Sequence, residues 1–105
     1  MTDNFEDMNF NEKVYAIVKK VPMGKVIAYG QIAKIMDMPR SARGVGRAMY
    51  FCPDDAPWQR VVMANGTIAG GDHAKIRKGM LESEGVTFLP NGRVDMKRHA
   101  VYEVE

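Results

Sequence analysis

Arg43 and Arg47 stand four residues apart, a spacing that sets both guanidinium groups on one face of a helix. Between them lie Gly44 and Gly46, each costing about 1 kcal/mol relative to alanine inside a helix. A helix carries that cost where its backbone must come close to something, either a bound polyanion or a packed neighbouring helix. The residue types leave both open. Cys52 is the only cysteine, which excludes an internal disulfide. With only His73 and His99 beside it, no Cys/His zinc set is expected, and no other metal or cofactor. A lone thiol with no histidine near it in sequence reads as packing before it reads as a nucleophile.

Charge narrows the choice. Residues 1–12 hold four acids and no base, and residues 13–51 hold eight bases against the single acid Asp37. Residues 52–105 then balance seven bases against eight acids. A formal net charge of only +2 therefore conceals a basic stretch that fits a polyanion-binding face. Lysines solvated on helix surfaces give the same count, and charge alone does not separate the two.

The elements that must position these residues are short. With 46% apolar and 27% charged residues, the 105-residue chain reads as one small soluble domain spanning 1–105. No apolar run approaches the ~18 residues of a membrane span. The acidic start from Met1 to Asn11 is unlike a signal peptide. Together with the lone cysteine this predicts a cytoplasmic location and no membrane partner.

Asn9 or Asn11 caps a first helix with the apolar stripe Phe10, Val14, Ile17, Val18 and Val21, which Pro22 and Gly24 end. Lys25–Ala28 reads as extended. A second helix is predicted over about Tyr29–Met36, then a turn at Asp37–Arg40, then a third helix capped by Ser41 over about Ala42–Phe51. Ala42, Val45 and Met49 form the inner side of this third helix. Two short helices joined by a tight turn make a helix-turn-helix, with the third helix as the recognition candidate. Asn65-Gly66 predicts a hairpin between Val61–Ala64 and Thr67–Ala69, placed as a wing. A fourth helix over about His73–Ser83 turns Ile76, Met80 and Leu81 inward, and Asn91-Gly92 marks a second turn.

From Val14 to Val86 the chain resembles the DNA-binding domain of the O6-alkylguanine-DNA alkyltransferases. The blocks that carry the resemblance are VPMGKVIAYGQIA, ARGVGRAM, PWQRVV, NGTIAGG and ESEG, in family order. The fold it implies agrees with the pattern above: mainly α with small β-hairpins, a winged helix-turn-helix DNA-binding domain. The resemblance assigns Arg43 as the finger that fills the hole left by a flipped nucleotide, where a planar guanidinium can stack and hydrogen-bond together. It assigns Tyr29 to the phosphate of the rotated nucleotide, and it turns Gly44, Arg47 and Ala48 toward the minor groove. Tyr29, Trp58, Val61, Gly70 and Gly71 then line the lesion pocket. Core packing is the plain alternative for Tyr29 and for Trp58.

Departures from the family decide the chemistry. Family enzymes carry Pro-Cys-His-Arg, and this chain has Pro57-Trp58-Gln59-Arg60. An indole offers no thiolate, and a glutamine cannot serve as the base that activates one. Glu84, which matches the third member of that network, is left with nothing to orient. Ala28 stands where a Ser or Thr is usual, and Cys52-Pro53 replaces Asn-Pro. Gly70-Gly71 falls where Gly-Tyr is common, which predicts a roomier pocket.

The sequence is most similar to the alkyltransferase-like proteins, which have no acceptor cysteine. That resemblance implies a non-enzymatic monomer that binds double-stranded DNA containing O6-alkylguanine, flips the nucleotide and marks the lesion for nucleotide excision repair proteins. Two other readings stay open. A winged-helix transcriptional regulator would need a dimerisation element, and Asn or Gln readers where the third helix has glycines. A residual alkyltransferase would need Cys52 as its acceptor.

Overall fold

The computed structural model describes residues 5–105, so the first four residues of the acidic start lie outside it. Helix α1 (Phe10–Lys19) begins at one of the two predicted caps. Asn9 Oδ1 accepts the Glu12 amide at 2.8 Å, and Glu12 Oε1 accepts the Asn9 amide at 2.9 Å, a reciprocal capping box. The stripe behind that cap buries Val14, Ile17 and Val18.

The chain then extends through β1 (Ile27–Ala28) into α2 (Tyr29–Ile35). Ala28 gives α2 no side-chain cap. At its far end the Met38 amide donates to the Ala33 carbonyl at 2.9 Å and the Asp37 amide to the Lys34 carbonyl at 3.0 Å. These two bonds make a Schellman motif, with Asp37 in the left-handed position at φ 58°. That turn delivers the chain to α3 (Ala42–Tyr50), which packs against both α2 and α1. Ser41 sits at the N-cap of α3, but its backbone is not extended (φ −101°, ψ 22°) and its side chain makes no capping bond. The predicted cap is therefore not formed, and packing against α1 and α2 holds the first turn.

The helical character and the helix-turn-helix agree with the sequence reading, but the strands pair differently. β1 pairs in parallel with β2 (Val61–Val62), Ile27 opposite Val61 and Ala28 opposite Val62. The predicted wing survives only as a turn. Met63 donates to the Thr67 carbonyl at 2.9 Å, and Asn65 Oδ1 accepts the Thr67 amide. Beyond it the arm leaves without a ladder, and the turn is docked elsewhere. The Val94 amide donates to the Gly66 carbonyl at 2.9 Å, and a Cβ at residue 66 would lie 2.5 Å from the Val94 carbonyl oxygen. The second predicted turn closes with an antiparallel bridge between Phe88 and Val94.

Helix α4 (Ala74–Ser83) follows a single 3₁₀ turn at Gly71–His73. Of its three expected inward residues Leu81 alone is fully buried, while Ile76 is 55% exposed. α4 therefore anchors at its C-terminal end, and Ile76 points to water. A last short helix, α5 (Met96–His99), leads into a tail that is tied down. Val26 bridges Ala100, and Gln31 Nε2 donates to the Tyr102 carbonyl at 2.8 Å. The buried side chains form two clusters. One joins α1, α2 and α3 to Val61, and the other gathers Val26, Val62, Leu81, Val86 and Val94.

Candidate nucleic-acid interface

Helix α3 presents one open face. Arg43, Arg47 and Tyr50 are exposed, Tyr50 to 84%, and a Cβ placed on Gly46 would meet nothing within 4 Å. Residues 43, 46, 47 and 50 recur at three- and four-residue steps, so they form one stripe along the helix. The other two predicted groove residues lie on the far side. A Cβ on Gly44 would fall 3.0 Å from the Phe10 ring of α1, so that glycine serves helix packing. Ala48 is 1% exposed, and its carbonyl accepts the Tyr15 hydroxyl at 2.8 Å. The small residue on the open face of α3 is Gly46, while Gly44 and Ala48 lie on its packed face.

Where the α3 stripe ends, a cleft of about 370 Å³ opens. Met49 and Tyr50 of α3 form one side and Trp58 another, with Gly70, His73 and Arg77 facing them. Cys52 and Asp54 complete the lining. Trp58 is half-buried and packs against the main core cluster, so the packing role is real. Its ring also walls the cleft, with the Arg77 guanidinium 5.3 Å from the centroid in a cation–π arrangement. Tyr50 is shared between stripe and cleft.

Three predicted pocket residues stand apart from this lining. Val61 is fully buried in the parallel strand pair, so its side chain lines no cleft; the resemblance calls on its backbone alone. Gly71 is exposed and a Cβ there would meet nothing, whereas Gly70 lines the cleft itself. Tyr29 opens α2 and packs half-buried against the main core cluster. The sequence reading did not single out Tyr50, His73 or Arg77 as site residues. The steps 43–47–50 and 73–77 were the available cues, each a run of polar or aromatic residues on one helical face.

Below Trp58 a polar network fixes the loop. Gln59 Nε2 donates to Glu84 Oε2 at 2.6 Å. Arg60 donates to the same carboxylate, Nε to Oε1 at 2.9 Å and Nη2 to Oε2 at 3.1 Å, and through Nη1 to the Val21 carbonyl at 2.8 Å. Glu84 therefore has partners to orient, contrary to the sequence expectation. It sits at the C-cap of α4, where a Schellman turn uses Gly85 at φ 91° to satisfy the last carbonyls. Burial by itself pushes the Glu84 carboxyl up. Hydrogen bonds from Arg60 and Gln59, the Arg60 charge and the Gly24 backbone outweigh burial and hold the carboxyl below its ordinary range.

The thiol of Cys52 is shifted the other way. Burial raises it and Asp55 adds to the rise, with Arg77 and Lys19 opposing. A raised thiol holds less thiolate at neutral pH, the wrong direction for an acceptor nucleophile.

Comparison with known proteins identifies the family. A family profile described as "6-O-methylguanine DNA methyltransferase, DNA binding domain" matches residues 9–86. The chain is 38% identical over 95 residues to the DNA base-flipping protein of Escherichia coli K12, covering 87% of this chain and 73% of that protein. It is 44% identical over 82 residues to alkyltransferase-like protein 1 of Schizosaccharomyces pombe, covering 73% of this chain and 76% of the relative. The structure of S. pombe Atl1 in complex with damaged DNA containing O6-carboxymethylguanine superimposes with a TM-score of 0.76 at 36% identity, covering 88% of this chain and 94% of that one. The chain belongs to the 6-O-methylguanine DNA methyltransferase family, of which it carries the DNA-binding domain.

Proposed function

We propose that this protein binds double-stranded DNA carrying O6-alkylguanine, turns the modified nucleotide out of the duplex and holds it without transferring the alkyl group. The observation that carries this reading is the position of Tyr50. It ends the exposed α3 stripe and lines the Trp58 cleft, so a groove-contacting face and a receptor for an extruded base adjoin. Arg43 fills the space that the base vacates, Arg47 neutralises backbone charge, and Gly46 permits close approach. Trp58 offers a flat ring for dispersion and stacking with the base or its alkyl group.

Transfer lacks its parts. Residue 58 offers no thiolate, the Gln59 amide is engaged by Glu84, and the Cys52 thiol is pushed up. Relatives named DNA base-flipping protein, and one solved on damaged DNA, fit recognition without repair. A bound lesion that is not repaired must be passed on, and nucleotide excision repair proteins are the partners this requires. The protein is proposed to act in the cytoplasm as a monomer.

Base extrusion has a direct readout. A 2-aminopurine placed beside O6-methylguanine should brighten on binding, because its neighbour leaves the stack. Unchanged emission at saturating protein overturns extrusion.

A further inference from the structure

The exposed stripe of α3 does not stop with the helix. Phe51, its C-cap residue, stands four positions after Arg47 and eight after Arg43, so it continues the same face. Its ring is 67% exposed and Tyr50 beside it 84%, which makes these neighbours the two most exposed aromatic residues among those described. The pair is nonetheless held in place. The ring centroids lie 5.0 Å apart at 87°, an edge-to-face arrangement. Beneath the rings the Phe51 amide donates to the Ala48 carbonyl and the Cys52 amide to the Met49 carbonyl, each at 3.1 Å, and the side chains of Ala48 and Met49 are buried.

Two adjacent rings fixed in water mark an interaction surface. Continuity selects the duplex as its partner, because the rings extend the face that carries Arg43, Gly46 and Arg47. A phenyl ring has no donor or acceptor for a phosphate, so on DNA it is buried only among sugars and stacked bases. We infer that Phe51, braced by Tyr50, is a second wedge: it enters the minor groove and partly unstacks a base step on the side of the lesion toward the C-terminal end of α3. Eight residues of helix span about 12 Å, so this step lies within about four base pairs of the gap that Arg43 fills. Tyr50 lines the Trp58 cleft and Phe51 does not, so the two rings serve different bases. The inference rests on the proposed groove face of α3 and adds a contact with unmodified base pairs.

The experiment walks a 2-aminopurine along a duplex carrying O6-methylguanine, one position at a time, out to about six base pairs on either side of the lesion, beyond the reach of the helix. Emission is read with saturating native protein, Phe51→Ala and Phe51→Leu. The native protein should brighten two places: the neighbour of the lesion, and a second position within about four base pairs on one side only. In Phe51→Ala the second signal should drop to the free-duplex level while the first persists. Binding should weaken about tenfold, as one stacked aromatic allows. Phe51→Leu keeps an apolar wedge and should keep the second signal.

A native protein that brightens only the neighbour of the lesion overturns the wedge and leaves the proposed function intact. A second signal that survives in Phe51→Ala also overturns it and gives the ring to another occupant, such as a protein partner. A bright second position beside a dark lesion neighbour supports the wedge and removes extrusion. A chain that binds neither plain nor modified duplex removes both. Without DNA, Phe51→Ala should melt close to the native temperature, because its ring lies largely in water. A drop of several degrees assigns the ring to packing and sinks the proposal.

Discussion

Gln59 donates its side-chain amide to Glu84 Oε2 across 2.6 Å, while Arg60 grips the same carboxylate from Nε at 2.9 Å. The pair occupies the positions that the family resemblance gives to a catalytic base and its orienting acid. Here it is a strut beneath Trp58. Both members of the Arg60–Glu84 ion pair are largely buried, with side chains 13% and 10% exposed. Removing one partner therefore strands the other.

Glu84→Ala should cost about 3–5 kcal/mol, the usual penalty for leaving one half of a buried ion pair. Urea unfolding monitored by Trp58 emission measures it. The pH dependence has a definite sign. A carboxyl held below its ordinary range in the folded state stabilises fully above the ordinary glutamate range and loses that contribution as pH falls through the lowered value. Acidification should therefore lower the melting temperature of the native protein more than that of Glu84→Gln.

Gly46→Ala should separate stability from binding. The site is open, so an added methyl meets nothing and the helix gains up to about 1 kcal/mol. On the proposed groove face the same methyl obstructs close approach, so DNA binding should weaken while the melting temperature rises. Gly46→Ala binding DNA as well as the native protein would remove α3 from the groove.

Much of this arrangement was legible in the sequence, because it rests on local rules. Asn9 with Glu12 predicts the start of α1, and Arg43 with Arg47 predicts a shared helical face. Gly44 shows where local rules stop. Sequence spacing places two glycines between two arginines, but only the path of α1 shows that Gly44 meets Phe10 and Gly46 meets nothing. The strands beside the predicted wing meet the same limit. Asn65-Gly66 correctly marks a turn, while the strand partner of Val61 and Val62 is Ile27 and Ala28, more than thirty residues earlier. The contact of Arg77 with the Trp58 ring likewise depends on the long-range approach of α4.

Arg43 and Trp58 should divide the work. Arg43→Ala leaves the vacated space unfilled whatever the adduct, so binding to all O6-alkylguanine duplexes should weaken by a similar factor, worth about 1–3 kcal/mol. Trp58→Ala should change the ranking among methyl, benzyl and larger adducts more than it changes binding to plain duplex. A uniform loss for Trp58→Ala with native circular dichroism would return that residue to packing. An adduct-specific loss for Arg43→Ala would place Arg43 inside the cleft.

Salt should weaken binding with a log–log slope on the order of −3 to −6, as expected when a handful of phosphates are neutralised. Arg47→Ala should reduce the magnitude of that slope by about 1 and weaken plain and modified duplexes alike. An unchanged slope in Arg47→Ala would take Arg47 off the phosphate backbone.

Trp58→Cys alone should restore little or no alkyl transfer, because Gln59 cannot act as a base and its amide is committed to Glu84. Intact-mass spectrometry of the variant after incubation with O6-methylguanine duplex decides this. A stoichiometric gain of one methyl on the new thiol would show that Gln59 is no obstacle.

Recognition without transfer is tested most directly in a single sample. The native protein is titrated with matched guanine and O6-methylguanine duplexes at one salt concentration, and both components are then recovered for intact-mass analysis. Tighter binding to the modified duplex is expected, since its weakened base pair is cheaper to open by up to a few kcal/mol, with both masses unchanged. Equal affinity for the two duplexes, or a methyl group moved from DNA to Cys52, would contradict it.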